Sequence, residues 1–242
     1  MAGKLSVVIP AHNEQDNIGK VIQGIVNAFC DSQWDLEIVL VDDGSSDNTV
    51  QVATATAKAA GVHLKLVQHL KKSGYGITVR DGLYSASGDV VGFMDGDGQF
   101  DAQDLKTLVS HVGEFDIVTG YRQERADPFF RSVISFTMNV LVRILYRVSA
   151  KDVDCGMKVM KKEVLESVSP FIARSALMNT ELYFKANKLG FRLKQMPVRH
   201  YPRIAGKRSG ARLIPIMRAV RDLLLLRYRL IKNWSPKVKV KA

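Results

Sequence analysis

A chain of 242 residues, 46% of them hydrophobic, is long enough to bury one large core or two small ones and too apolar to be disordered. Its two cysteines, Cys30 and Cys155, are too few for a disulfide framework and fit a reducing compartment, while no apolar run approaches the roughly 18 residues of a membrane span. The net charge of +11 is concentrated at one end: from Arg199 onward thirteen Lys and Arg face the single acid Asp222, whereas the first 198 residues carry 22 basic and 23 acidic side chains.

Leu5 to Pro10 reads as an apolar strand. Asn13, Glu14 and Asp16 then open a helix whose apolar positions Ile18, Val21, Ile22, Ile25, Val26 and Phe29 keep helical spacing. The stretch LSVVIPA is too short for a signal peptide and lacks a cleavage pattern, so the expected location is the cytosol or the cytoplasmic face of a membrane. Leu36 to Val41 repeats the apolar run and stops at Asp42, Asp43 and Gly44, before an alanine-rich helix over Thr49 to Ala60. His63 to Gln68 is a third strand, Lys71 to Gly76 a glycine-containing basic loop, and Ile77 to Ser87 a helix.

Val90 to Met94 is a buried strand that ends abruptly in Asp95, Gly96, Asp97, Gly98 and Gln99. Two carboxylates one residue apart offer hard oxygen ligands to Mg²⁺ or Mn²⁺, with room for a substrate phosphate to complete the shell. An EF-hand loop is excluded because its sixth and twelfth positions need Gly and Glu, where this chain has Phe100 and Lys106. The competing reading of the acids is a helix cap, which suits Asp101 as N-cap and Asp104 in the first turn.

Phe115 to Gly120 reads as a further strand, followed by Tyr121 and Arg122. Beyond Arg131, the apolar positions from Val133 to Leu145 make a helix that either joins the core or faces lipid. Asp152, Asp154, Cys155 and Gly156 form a polar corner ahead of a strand from Met157 to Met160. Leu177 to Leu189 is a helix bearing Glu181, Phe191 to Val198 a strand, and 200–210 a basic loop. Leu213 to Trp234 is a helix rich in leucine and arginine, before a basic end.

Repeated strand-then-helix units predict an α/β fold: a mainly parallel, doubly wound sheet with helices on both faces and ligands outside the strands' carboxyl ends. The acid clusters at 42–47 and 95–101 then face one cleft. Neither the dinucleotide fingerprint nor the P-loop occurs, so carboxylates and metal are left to hold any phosphate.

Taken in order, VVIPAHNE at 7–14, VDDGSSDNT at 41–49, ASGDVVGFMDGDGQ at 86–99 and the later basic loop resemble inverting glycosyltransferases of family 2 with the GT-A fold. Within them the chain looks most like the dolichyl- and polyprenyl-phosphate sugar synthases, such as dolichol-phosphate mannose synthases. The likeness spans about residues 5 to 210. It departs from the branch where glycines flank Asp97 instead of the usual alanine and leucine, and where Ser209 is followed by Gly210 instead of lysine.

The resemblance implies a catalytic domain over 1–211, with a nucleotide- and metal-binding half (1–120) and an acceptor-binding half (121–211). Residues 212–242 follow as a basic amphipathic helix and tail. It implies that Pro10, His12 and Glu14 line the nucleoside with Asp42 or Asp43, that Asp154 approaches the donor sugar, and that Asp95, Asp97 and Gln99 hold the metal. Arg122, Arg131, Ser135 and Arg203 would clamp an acceptor phosphate, accompanied by Lys207, Arg208 and Ser209. Asp97, Arg122, Arg131 and Arg203 would then carry the catalysis.

The expected reaction is metal-dependent inverting transfer from a nucleoside-diphosphate sugar, GDP-mannose or a UDP-hexose, to a polyprenyl or dolichyl phosphate at a membrane surface. The terminal helix or a membrane-spanning partner subunit would supply the membrane contact. A transferase acting on a saccharide or protein hydroxyl would instead need a true base, for which Asp154 and Glu181 are candidates; Glu181 is more simply read as a solvated helix residue. His200 reads as a donor-sugar contact or a plain loop histidine. A basic nucleic-acid binder leaves the carboxylate clusters without a purpose and shows no reader motif, so no nucleic-acid partner is expected.

Overall fold

The computed structural model describes residues 3–123, 129–148, 150–203 and 213–235, apart from the side chains of 129–136 and 213–219. In chain order the elements are β1 (Lys4–Ala11), α1 (Ile18–Phe29), β2 (Asp35–Asp42), α2 (Thr49–Ala59), β3 (His63–Gln68), α3 (Tyr75–Ser85), β4 (Val90–Met94) and α4 (Ala102–Ser110). There follow β5 (Ile117–Arg122), α5 (Phe129–Tyr146), β6 (Met157–Lys161), α6 (Lys162–Val168), α7 (Met178–Lys188), β7 (Leu193–Val198) and α8 (Leu213–Asn233).

The strands form one sheet in the order β3-β2-β1-β4-β6-β5-β7. All neighbours are parallel except β6, which runs antiparallel to both β4 and β5. Its reversal follows from its position: β6 enters straight from the polar corner at 152–156, on the edge where β4 ends. Short α6, absent from the sequence reading, then leads away from the opposite edge. The expected mainly parallel α/β sheet is therefore present, with one reversed strand in its middle.

Side chains alternate between two cores. From β1, Val8 joins one apolar cluster, while Leu5, Val7 and Ile9 join the other. From β4, Val91 and Phe93 face one way, and Val90 and Met94 the other. Because both faces are covered, the central strands are apolar at nearly every position. The first core also receives Val142 and Tyr146 of α5 and Leu223, Leu226 and Leu230 of α8, so both apolar helices pack one face onto the fold. Each keeps large apolar residues exposed as well, Ile144 on α5 and Leu224, Tyr228 and Ile231 on α8.

Candidate active site

The polar residues that follow β1, β2 and β4 converge at the carboxyl edge of the sheet. There they line a cleft of about 350 Å³ together with the start of α3 and with Arg203. The loops after β1 and β2 are stitched to each other. Asn13 accepts from the Ser46 amide (2.8 Å), Thr49 Oγ1 accepts from the Glu14 amide (2.8 Å), and Gln15 accepts from the Asn48 amide (3.0 Å). Asn13 adopts a left-handed backbone, φ 56°, which asparagine tolerates better than most residues and which turns the chain back toward α1.

Asp42 and Asp43 part ways. Asp42 accepts from the Ser45 amide and shapes the turn, outside the cleft lining. Asp43 lines the cleft and accepts from the Ser73 amide (2.7 Å) and the Gly74 amide (2.9 Å), with His69 Nδ1 at 2.9 Å. Burial opposes its ionisation, but the bonds from His69, Ser73 and Gly74 prevail and lower its pKa. The other imidazole nitrogen faces Asp81 at 3.2 Å, so His69 ties β3 to α3 behind the site.

Asp95 and Asp97 both line the cleft. Tyr75 donates to Asp95 Oδ1 at 3.0 Å, and Asp97 accepts from the Gln99 amide at 3.1 Å. Among the described residues neither carboxylate has an ion-pair partner. Loss of hydration, reinforced by the like charge of Asp97, pushes Asp95 up to about 7, although Tyr75, Lys158 and Arg122 act in the opposite sense.

Glycine makes the position possible. A Cβ on Gly156 would lie 2.0 Å from Asp95 Oδ2. Beneath the pair, fully buried Lys158 donates to the Cys155 carbonyl and lies 4.9 Å from the Phe93 ring centre. Burial lowers its pKa.

Among the described residues no basic side chain forms an ion pair with these hard oxygens, which fits a divalent metal. Among the described residues no group of three or more His, Cys, Asp or Glu comes together, so the remaining ligands of such an ion would have to come from elsewhere.

Pro10, His12 and Glu14 line the same cleft. His12 Nδ1 is buried with no hydrogen-bond partner among the described residues. Glu14 pairs with Arg203 and accepts from Asn17 at 2.7 Å, and burial raises its pKa. Arg203 arrives from nearly two hundred residues away because Gln99 and Tyr201 clasp each other. The Gln99 side chain donates to the Tyr201 carbonyl (2.8 Å), and the Tyr201 amide donates to the Gln99 carbonyl (2.8 Å). His200, packed against Phe100 with ring centres 5.3 Å apart, belongs to this clasp.

Other expected residues stand outside the cleft lining. Arg122 is gripped by Asp152 through Nε (2.7 Å) and Nη2 (2.9 Å), a two-bonded fork that fixes its orientation. Asp154 is exposed on the same corner. Arg131 and Ser135 fall on α5 with their side chains outside the described residues, and Lys207, Arg208 and Ser209 lie outside them altogether.

The reading of Glu181 as solvated is overturned, for it is fully buried. It pairs with Lys185 at 2.7 Å and accepts from the Ile172 and Ala173 amides, which makes it a brace for the segment before α7. Lys72, Tyr75 and Thr78, which the sequence reading passed over, complete the lining. Lys72 and Tyr75 fall in the glycine-containing loop read at 71–76 and Thr78 just beyond it, but nothing in that stretch marked them as facing the cleft. Gly76 has no room for a Cβ, which would meet the Ser175 carbonyl at 2.1 Å, and this close approach holds the first turn of α3 against the cleft.

With this geometry in hand, comparison with known proteins is direct. The family model described as Glycosyl transferase family 2 matches residues 6–169. The chain is 30% identical over 217 residues to the undecaprenyl-phosphate 4-deoxy-4-formamido-L-arabinose transferase of Klebsiella pneumoniae subsp. pneumoniae, covering 88% of this chain and 65% of that protein. It is 30% identical over 168 residues to the dodecaprenyl-phosphate galacturonate synthase of Rhizobium johnstonii, covering 68% of this chain and 50% of that protein. The chain thus spans from half to just under two thirds of these curated relatives.

Among solved structures, glucosyl-3-phosphoglycerate synthase of Mycobacterium tuberculosis, in complex with Mn²⁺, UDP-glucose and phosphoglyceric acid, is similar in fold. The TM-score is 0.70 at 23% identity, over 93% of this chain and 79% of that one. A family match across most of the chain, on a sheet whose carboxyl edge carries the paired acids, shows that this protein belongs to glycosyl transferase family 2 and has the GT-A fold.

Proposed function

We propose that the protein transfers a sugar, with inversion, from a nucleoside-diphosphate sugar such as GDP-mannose or a UDP-hexose to a polyprenyl or dolichyl phosphate at the cytoplasmic face of a membrane. One observation carries the reading: two carboxylates with no ion-pair partner among the described residues sit in a cleft whose volume falls in the range of small-ligand sites, about 300–1,000 Å³. The lipid-phosphate relatives support the choice of acceptor.

A Mg²⁺ or Mn²⁺ ion held by Asp95 and Asp97, with Gln99 beside them, supplies when bound the positive charge that steadies a departing diphosphate. Pro10, His12, Glu14 and Asp43 hold the nucleoside. Asp42 acts indirectly through its turn, and Asp154 faces the donor sugar. The acceptor phosphate monoester, with a second pKa of roughly 6, is already largely ionised near neutral pH and needs orientation more than a base. Arg122, with its fork set by Asp152, clamps it together with Arg131, Ser135, Arg203, Lys207, Arg208 and Ser209. Glu181 has no part in proton transfer, because its oxygens are committed to Lys185 and two backbone amides.

The test is a panel of sugar nucleotides scored for Mn²⁺-dependent thermal stabilisation, followed by transfer of labelled sugar from the best binder to a polyprenyl phosphate. Stabilisation that disappears with EDTA, together with a labelled lipid product, is expected. Transfer to soluble hydroxyl acceptors with none to the lipid phosphate would overturn the acceptor assignment.

A further inference from the structure

Behind the cleft, one histidine stands between two carboxylates. Strands β2 and β3 pair in parallel with Asp42 opposite Gln68, so the next residues, Asp43 and His69, leave the sheet side by side. Backbone bonds keep them there: the His69 amide donates to the Asp42 carbonyl (2.9 Å) and the Asp43 amide to the Ala11 carbonyl (2.8 Å). His69 Nδ1 then lies 2.9 Å from Asp43 Oδ1, and Nε2 lies 3.2 Å from Asp81 Oδ2. Asp81 belongs to α3 and is itself steadied by Arg80, whose Nη2 is 2.8 Å from Oδ1. A ring that is 11% exposed and held at both nitrogens has little freedom to turn.

What the ring holds distinguishes it from an ordinary brace, for Asp43 lines the cleft. A carboxylate offers about four lone-pair directions. On Asp43, His69 and the Ser73 amide face Oδ1 and the Gly74 amide faces Oδ2, so Oδ2 keeps a direction to spare. The two amides come from adjacent residues of one loop. Among the described residues, His69 is the side chain that bonds this carboxylate, and through Asp81 it refers its orientation to the body of α3.

We infer that His69, anchored by Asp81, is a positioning residue for the sugar-nucleotide donor: it sets the orientation in which the Asp43 carboxylate receives the nucleoside. Neither His69 nor Asp81 lines the cleft, so both act through Asp43. The inference rests on the donor reading above, in which Asp43 holds the nucleoside. Its effect falls on the nucleoside end of the donor and spares the diphosphate end at Asp95 and Asp97.

The experiment is calorimetric titration of the full chain, in the presence of Mn²⁺, with UDP, GDP and inorganic pyrophosphate. For the nucleotide that wild type binds, His69→Ala should weaken affinity about ten-fold, the worth of one charge-assisted hydrogen bond, with pyrophosphate affinity unchanged. His69→Asn sets its amide nitrogen where Nδ1 stood, toward Asp43, and should stay within about three-fold of wild type. His69→Gln reaches toward Asp81 instead and should fall with the alanine variant. Asp81→Asn should cost about three-fold, and adding it to His69→Ala should cost nothing more, because Asp81 acts through the ring. In turnover the loss should appear in the donor KM, with kcat changed by less than about two-fold.

Equal loss of nucleotide and pyrophosphate binding, as a general loosening of the site would give, overturns the inference. So do additive losses in the double variant, or an asparagine variant no better than the glutamine one. If His69→Ala does not fold, Asp81→Asn decides: wild-type nucleotide affinity overturns the inference, and a loss confined to nucleotide upholds it. Wild type that binds neither nucleotide sinks the donor reading and this inference with it. Wild type that binds a nucleotide with an affinity indifferent to His69 sinks this inference alone, so the two failures are distinguishable.

Discussion

Two carboxyl groups at opposite ends of the same sheet, a glutamate and an aspartate, are driven in opposite directions. At the amino edge, Glu37 of β2 is 2% exposed and receives Ser6 Oγ, the Ser87 amide (3.0 Å) and Ser87 Oγ (2.8 Å), with Lys4 Nζ at 3.4 Å. Burial opposes its charge, yet these donors prevail and hold it down at about 2. At the carboxyl edge, loss of hydration and the like charge of Asp97 push Asp95 up to about 7, against its one tyrosine hydroxyl and the pull of Lys158 and Arg122. Among the described residues the fold surrounds Glu37 with donors and gives Asp95 and Asp97 one hydrogen bond each, a contrast that fits the metal-binding role proposed for the pair. On the proposed reading, this contrast leaves the rim carboxylates available to a cation and the diphosphate it would accompany.

The largest break in this contrast should come from Asp97→Asn. Removing one of two ligands should lower transfer by about a thousand-fold, equivalent to about 4 kcal/mol of transition-state stabilisation. The same change relieves the repulsion on Asp95, so the melting temperature of the metal-free protein should hold or rise. Turnover and thermal melts on one preparation measure both, and a variant that loses activity only by unfolding would remove the distinction between the two edges. Next in size is Gly156→Ala. Its new Cβ would lie 2.0 Å from Asp95 Oδ2, so Asp95 has to swing off Tyr75. Misplacing a ligand by about an ångström costs on the order of a hundred-fold in turnover. Metal titration of the sugar-nucleotide melting shift should show weakened Mn²⁺ dependence with the fold intact.

What could be read from the chain beforehand follows the same division. Strand β4 is legible to its end residues because an apolar run stops abruptly at a polar one, and β3, an alternating stretch from His63 to Gln68, also keeps its expected bounds. Asp101 was legible as an N-cap and does accept from the Gln103 amide at 2.9 Å. Short α6 was not legible, since KEVLESV is a single brief amphipathic stretch, nor was the direction of β6, which depends on where the chain re-enters the sheet. In the site, acids directly after apolar strands announced themselves. Tyr75, Lys72 and Thr78 did not, because their place depends on 174–175 packing against Gly76 a hundred residues away. Glu181 misled for the converse reason: its charge suggested solvent, while Lys185 one turn later and two amides let it be buried.

The smallest predicted effect sharpens the contrast from the structural side. Glu37→Gln keeps an acceptor for Ser6 or Ser87 but gives up the charge that strengthens those bonds and the attraction of Lys4. At neutral pH it should destabilise the fold by about 2 kcal/mol, within the limit of roughly 3 kcal/mol that a carboxyl lowered from 4.5 to about 2 can contribute. The sign with pH is determined. A carboxyl depressed in the folded state stabilises fully above its unfolded pKa of 4.5, and that contribution drains away as pH falls through about 2. Urea melts of the two proteins should therefore differ at pH 7, converge between pH 4.5 and 2, and coincide below. Activity per folded molecule should be unchanged throughout the range where both remain folded, because Glu37 sits at the edge of the sheet away from the cleft. A turnover defect in a fully folded Glu37→Gln protein would mean that the two edges are coupled through β1, β2 and β4 and do not act as separate regions.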